Sequence, residues 1–313
     1  MTKYMIKRLF KLIPVLFGVS IAVFLMIYLI PGNAAEVVAG PTATPEEIHN
    51  IAVKLGLDQP AYVQYLRYMG GVLKGDLGYS YQTGQSVAEA ISTRYANTFS
   101  LALFSALVAT IVGVGTGIVA SAKRNSFFDR LSMGISTLGI SAPSFWIGLL
   151  FMIIFSMKLK WLPISGFNGM IWTKEGFSSL ILPAVTLGFG SAAMTSRMTR
   201  SSMLEIIHQD YIQTARAKGV KERIVILKHA LKNALIPIIT IVGLNFGSLL
   251  GGAVVVESVF AINGIGRLML QAISARDFPM VQGTVLVVAT TFIIINLIVD
   301  ILYAAIDPRI QYS

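Results

Sequence analysis

Residues 98–122 read TFSLALFSALVATIVGVGTGIVASA, twenty-five positions without a charge. A helix rises about 1.5 Å per residue and a hydrocarbon core is roughly 30 Å thick, so about 20 such residues cross it. Five further uncharged runs have the same character: 12–35, 131–157, 176–196, 233–256 and 278–299. All are too long for barrel strands and none alternates in polarity. The expected fold is an all-α polytopic membrane protein with six transmembrane helices.

Composition agrees. Hydrophobic residues make up 55% and charged residues 13% of the chain, too little charge for a water-exposed surface. The net charge of +10 does not point to nucleic acid, because the basic residues punctuate apolar runs and form no groove interleaved with aromatics. The chain has no cysteine, which excludes disulfides, a thiol nucleophile and thiolate metal ligands.

Lys and Arg are retained on the cytoplasmic side, so their distribution orients the helices. The N-terminal segment, the second and fourth connections and the tail carry sixteen; the alternate connections carry nine. Both termini are expected in the cytoplasm. The first apolar run exceeds a signal core of roughly 7 to 15 residues and reads as a retained span.

Between the first two spans, Thr44-Pro45-Glu46-Glu47 has the form of a helix start. Thr44 is the cap, Pro45 opens the first turn and Glu47 completes a capping box, with Gly56 as the stop. A second short helix is expected from Pro60, carrying Tyr62, Tyr65, Leu66 and Met69 and ending at Gly70-Gly71. The chain thus divides into 1–97, a first span with an extracytoplasmic helical cap; 98–306, a membrane core with a cytoplasmic loop at 197–232; and 307–313, a cytoplasmic tail.

Residues suited to catalysis are sparse. His49, His208 and His229 are far apart in sequence and lack metal-ligand spacing. The dipeptide Gly-Lys never occurs, so no Walker-type phosphate loop is present. Asp300 follows the sixth run and reads as an interfacial residue, since nothing basic lies mid-membrane to pair with it. Gly243, Gly247 and Gly251 repeat every four residues in the fifth run and would let another helix approach, while Asn245 and Ser248 lie off that line and suit a polar passage. Pro143 and Pro183 permit kinks in the third and fourth runs.

The loop 197–232 contains Asp210-Tyr-Ile-Gln-Thr-Ala-Arg-Ala-Lys-Gly219, followed by Leu235-Ile236-Pro237. Small residues at Ala215, Ala217 and Gly219 suit a short helix seated in a partner's groove, with Arg216 and Lys218 at its rim. A basic amphipathic segment on anionic lipid has the same pattern. Spacing alone leaves the two readings open.

At these residues the chain resembles the inner-membrane permeases of bacterial ATP-binding-cassette importers, whose signature is Glu-Ala-Ala, three residues, Gly, then Ile-x-Leu-Pro. The matching positions are Gln213-Thr214-Ala215, Gly219 and Ala234-Leu235-Ile236-Pro237, with Gln213 replacing the acidic residue. The departure resembles the dipeptide, oligopeptide, glutathione and nickel branch. So do Gly75-Asp-Leu-Gly-Tyr-Ser80, Pro143-Ser-Phe-Trp-Ile-Gly148, Leu162-Pro-Ile-Ser-Gly166, Arg197-Met-Thr-Arg200, Gly251-Gly-Ala-Val-Val-Val-Glu257, Gly264-Ile-Gly-Arg267 and Asp307-Pro-Arg-Ile310. Pro31-Gly-Asn-Ala34 stands where that branch has Pro-Gly-Asp-Pro.

The resemblance implies a type I importer permease fold in the bacterial inner membrane. Its implied partners are a second homologous permease, two cytoplasmic ATPases that hold ATP and Mg, and an extracytoplasmic solute-binding protein. Gln213, Thr214, Ala215, Arg216, Ala217, Lys218 and Gly219 would form the coupling helix on an ATPase, and this chain would bind no cofactor. Short peptides are the implied solute, with glutathione and nickel complexes as alternatives. From another class, an ion-coupled secondary transporter would need a midplane coupling site on broken helices.

Overall fold

The computed structural model describes residues 2–29, 34–40, 42–167 and 172–306. Its elements, in order, are α1 (Thr2–Leu29), α2 (Ala34–Ala39), α3 (Pro45–Leu55), α4 (Ala61–Val72), strands β1 (Tyr79–Ser80) and β2 (Gln85–Ser86), α5 (Val87–Ala122), α6 (Phe127–Ser141), α7 (Ser144–Phe151, continued by a π-helical segment Met152–Lys158), α8 (Lys174–Ile207), α9 (Asp210–Ala217), the short α10 (Glu222–Ile224, continued by a π-helical segment Val225–Ala230), α11 (Leu231–Val259), α12 (Ile265–Ser274) and α13 (Phe278–Ile306).

Four described helices are long and apolar enough to cross a membrane: Val87–Ala122, Lys174–Ile207, Pro237–Val259 and Phe278–Val299. The third expected run is not one straight helix. It breaks into α6 and α7 with a bend of 116°. Pro143 has no N–H to give and holds the preceding residue extended, and Ala142 sits at φ −84°, ψ 136°. Pro183 lies inside α8, which continues without a break. The first expected run contributes a shorter apolar helix, Leu12–Met26, and its residues 30–33 lie outside the described residues, as does the tail from Asp307. The described residues thus give four long apolar helices, or five counting the bent pair as one, where the sequence pattern gives six.

The chain separates into two compact units. One is built on Phe99–Ile262 with the C-terminal end of α13, and the other joins Ile6–Thr98 to Asn263–Ile294.

In the first unit α8 is the hub, packed by α6, α7 and α11. Glycine makes the α5–α8 crossing close. A Cβ on Gly117 would lie 2.5 Å from the Thr199 Cβ and 2.7 Å from the Ser196 carbonyl, and one on Gly113 would lie 2.7 Å from the Ala192 carbonyl. On α8, Gly188 similarly admits the Ser105 carbonyl. Such a small-xxx-small line replaces hydrophobic driving force with close backbone packing, which is what lipid surroundings require. Around it, Leu101, Leu180, Leu187, Leu249, Val256 and Phe260 form the main apolar cluster. A tether closes the α7 side: the Gly166 N–H, at φ 84°, donates to the Phe260 carbonyl at 2.7 Å.

The second unit bears out the helix start at Thr44. Its hydroxyl accepts from the Glu47 N–H at 3.3 Å, while the Glu47 carboxylate accepts from the Thr44 N–H at 2.7 Å. Pro45 stands at the first turn and Gly56 ends α3 in the left-handed region at φ 70°. The second cap helix runs past its expected end: Gly70 and Gly71 lie within α4, and the reversal falls at Gly75, φ 83°. The Gly75–Ser80 motif then enters a hairpin of two-residue strands pairing Tyr79 with Ser86, a minor departure from an all-helical reading. Asp76 accepts from the Gly78 N–H at 2.9 Å, and the Ser80 hydroxyl donates to the buried Asp277 carboxylate. At the start of α12, the Ile265 N–H donates to Thr98 Oγ1 at 2.8 Å.

Candidate functional site

α9 rests on its own chain through one face. Ile212 is fully buried with Met203, Ile207, Val225, Ala230, Ala234 and Ile238, and Ala215 and Val220 pack against that cluster. Burying one such isoleucine stabilises by about 1.5–3 kcal/mol, enough to hold a two-turn helix that would be marginal alone. The opposite face is open: Gln213, Thr214, Ala217 and Lys218 are exposed, and their spacing puts them on one side of a helix. Tyr211 is exposed and its hydroxyl accepts from the Asn233 amide at 2.9 Å.

The end of α9 is set by two devices. Arg216 forms a two-bonded pair with Glu222, Nε to Oε2 at 3.0 Å and Nη2 to Oε1 at 2.7 Å. The guanidinium donors hold the Glu222 carboxyl below its ordinary range. Gly219 turns the chain at φ 76°, and a Cβ there would meet nothing within 4 Å. Its glycine is required by the left-handed backbone and not by crowding. The three small residues of the sequence pattern therefore have three settings: Ala215 faces inward, Ala217 faces outward, and Gly219 makes the turn.

Above this segment, Arg200 of α8 grips Asp129 of α6 with bonds of 2.6 and 2.8 Å. Asp129 is almost fully buried and also accepts from the Asn125 N–H at 2.9 Å. Asn125 itself sits at φ 63°. The Arg197–Arg200 motif thus ties the base of α8 to the start of the bent pair.

The bend at Pro143 opens a cavity of about 230 Å³. Ser144, Thr186, Ser191 and Ser248 line it with hydroxyls, Gly139, Gly190 and Gly252 with bare backbone, and no charged residue contributes. The Thr186 hydroxyl is buried without a hydrogen-bond partner. A wall of hydroxyls and accessible backbone in apolar surroundings suits a solute carrying neutral hydrogen-bonding groups.

Of the α11 residues singled out in the sequence, Ser248 lines this cavity and donates to the Asn245 carbonyl at 2.7 Å. The Asn245 amide reaches Thr195 at 3.5 Å, the outer limit of a hydrogen bond. The three glycines do not serve alike. Gly243 lies against Val299 of α13 and Gly247 is buried, but Gly251 faces open space. Gly252, one position on, is the α11 glycine that lines the cavity, with Leu187 at 3.0 Å from its would-be Cβ.

Sequence reasoning passed over Thr186 and Ser191 and met Ser144 only within the Pro143–Gly148 motif, because isolated hydroxyls in apolar runs look alike before the bend gathers them. It also passed over the Gly113–Gly117 line, whose spacing was a readable signal. Glu257 is fully buried near the end of α11. The side chain of Asp300 lies outside the described residues. Among the described residues no cluster of His, Asp or Glu has metal-binding geometry.

Residues 113–312 match the family of binding-protein-dependent transport system inner membrane components, and residues 1–102 match the N-terminal part of binding-protein-dependent transport system membrane components. The chain is 46% identical to the dipeptide transport system permease protein DppB of Alkalihalophilus pseudofirmus and 45% identical to the glutathione transport system permease protein GsiC of Escherichia coli K12, covering all of each chain in both. Among solved structures, an inward-facing form of the MetNI methionine ABC transporter is similar with a TM-score of 0.56 at 19% identity, over 69% of this chain and 95% of that one. The helical fold is thus that of the type I importer permeases. The chain is a multi-pass membrane protein that belongs to the binding-protein-dependent transport system inner membrane component family.

Proposed function

We propose that this chain is the permease that admits short peptides through an ATP-driven importer, working with a second permease, two cytoplasmic ATPases and an extracytoplasmic solute-binding protein. The carrying observation is its similarity, over the full length, to permeases named for dipeptide and glutathione transport. The uncharged, hydroxyl-lined cavity at the Pro143 bend offers hydrogen bonds to the backbone groups of a peptide and no carboxylate or imidazole ligand for a bare metal ion; a nickel complex, which brings its own ligands, is the more distant rival. Glutathione, itself a small peptide, is the nearest rival. The open face of α9 supplies the ATPase contact, so nucleotide hydrolysis stays on the partner subunits.

In this reading the bent pair is one crossing and Leu12–Met26 belongs to another, giving six with both termini in the cytoplasm. Single cysteines at Ser86 and Ser201, placed in a chain without native cysteine, should be labelled from outside and inside respectively. Labelling of both from one side would defeat the topology. For substrate, mass spectrometry of the ligand carried by the partner binding protein decides: short peptides support the proposal, and a metal complex refutes it.

A further inference from the structure

Residues 123–130, Lys-Arg-Asn-Ser-Phe-Phe-Asp-Arg, carry the chain from the end of α5 into α6. The first of these helices is long and apolar enough to cross a membrane, and the second is the first leg of the bent pair. Only residues 123–126 lie between them. The uncharged run of α5 ends at Ala122 and that of the bent pair begins at Leu131, so the charges mark the edge of the hydrocarbon on both sides of the turn. A connection this short stays close to that edge, within a headgroup layer roughly 5–8 Å deep. The turn therefore lies among lipid headgroups.

Its open surface carries one sign of charge. Lys123, Arg124 and Arg130 are exposed. The one acid of the segment, Asp129, is turned inward and both its oxygens are taken by Arg200. Among the described residues no carboxylate pairs with any of the three cations. The turn also fixes them in place: the Asn125 carbonyl accepts from Arg130 Nη2 at 3.3 Å, and Lys123 Nζ stands 5.4 Å from the centre of the Phe128 ring. Phe127 and Phe128 are 70% and 56% exposed and meet edge to face. Two open phenyl rings are a liability on a loop in water and an anchor beside acyl chains.

We propose that this turn binds the headgroup of an anionic phospholipid, its phosphate held among Lys123, Arg124 and Arg130 and its upper acyl chains set against Phe127 and Phe128. Charge selects the occupant. The phosphate of phosphatidylcholine brings its own cation, whereas that of phosphatidylglycerol leaves its negative charge for the protein to meet. A partner protein would have to enter the headgroup layer to cover the two rings. The site depends neither on the leaflet the turn faces nor on the solute the permease carries.

A fluorophore on Phe127→Cys, in a chain without native cysteine assembled with cysteine-free partner subunits in phosphatidylcholine bilayers, reads this position and leaves the three cations in place. Phosphatidylglycerol brominated near its headgroup is titrated in, with phosphatidylcholine brominated at the same position as the comparison. Each basic residue near the surface favours anionic lipid by about fivefold, so half-quenching should need at least about tenfold less phosphatidylglycerol. Lys123→Gln, Arg124→Gln and Arg130→Gln combined should bring the two lipids within about twofold. If that variant does not accumulate, Arg124→Gln alone should narrow the preference about fivefold. Equal quenching by both lipids, or a preference that survives these substitutions, overturns the site. So does shielding from both lipids that is lifted when the ATPases are stripped off, which would make the turn a protein contact.

Discussion

Small residues occur in two places with opposite surroundings. At the α5–α8 crossing, Gly113 and Gly117 are small because the backbone of α8 is already there, with the Ala192 and Ser196 carbonyls 2.7 Å from their would-be Cβ atoms. On the outer face of α9, Ala217 is small with solvent over it. The chain's own packing accounts for the first and leaves the second unexplained. Alanine is also the strongest helix former, so it is only under the proposed function that the open face around Ala217 becomes the seat of an ATPase.

Gly117→Leu should have the largest effect on stability. It forces a side chain into the Thr199 contact, and overpacking of this kind costs about 3 kcal/mol at the upper end of the usual range. The variant should be largely lost from membranes, and an unaltered unfolding temperature would mean the crossing is looser than described. Next comes Arg200→Ala, which strands the buried Asp129 carboxylate. Leaving a charged group without its partner costs about 2–3 kcal/mol, and restoring the pair in reverse, Asp129→Arg with Arg200→Asp, should recover part of it.

The same contrast shows how much the sequence disclosed. The capping box at Thr44 and the stop at Gly56 were legible because each depends on chemistry within a few residues, whereas Pro143 and Pro183 carried the same permission to kink and only Pro143 breaks its helix. The bend angle at Pro143 was not, since a missing N–H permits a kink but neighbouring helices set its size. Gly219 was read as a small residue for close approach to a partner; its φ of 76° adds a left-handed turn, which only a dihedral angle discloses. Gly243, Gly247 and Gly251 share a spacing but not an environment, because which side of α11 meets α13 depends on contacts distant in sequence. The Pro143 cavity was half legible: Ser248 stood out, whereas Thr186 and Ser191 come to it only when α8 passes the bend.

A smaller effect is expected at the clasp that ends α9. Glu222→Gln removes an exposed ion pair with Arg216, worth about 0–1 kcal/mol. Its carboxyl is held below the ordinary range in the folded chain, so the clasp contributes fully above the unfolded-state value and is lost only as pH falls through the lower folded one. Unfolding of the wild type relative to Glu222→Gln should therefore differ by a constant amount from pH 8 to pH 6 and converge only in acid. A difference that fades near neutrality would contradict the pairing.

Ala217→Trp should have the smallest effect on stability and the greatest on transport. Its side chain enters solvent, so the unfolding temperature should match the wild type, yet ATP-driven uptake by the reconstituted complex should cease. Gly219→Trp is a poorer probe, because the φ of 76° strains any side chain there.

The most direct measurement is contact itself. Ala217→Cys and Ser86→Cys, each in a chain without native cysteine, are assembled with an ATPase bearing single surface cysteines and treated with a short bifunctional thiol reagent. Docking of the outer face of α9 predicts a crosslink from position 217 and none from position 86. No crosslink from position 217, in a complex that still transports, would contradict it.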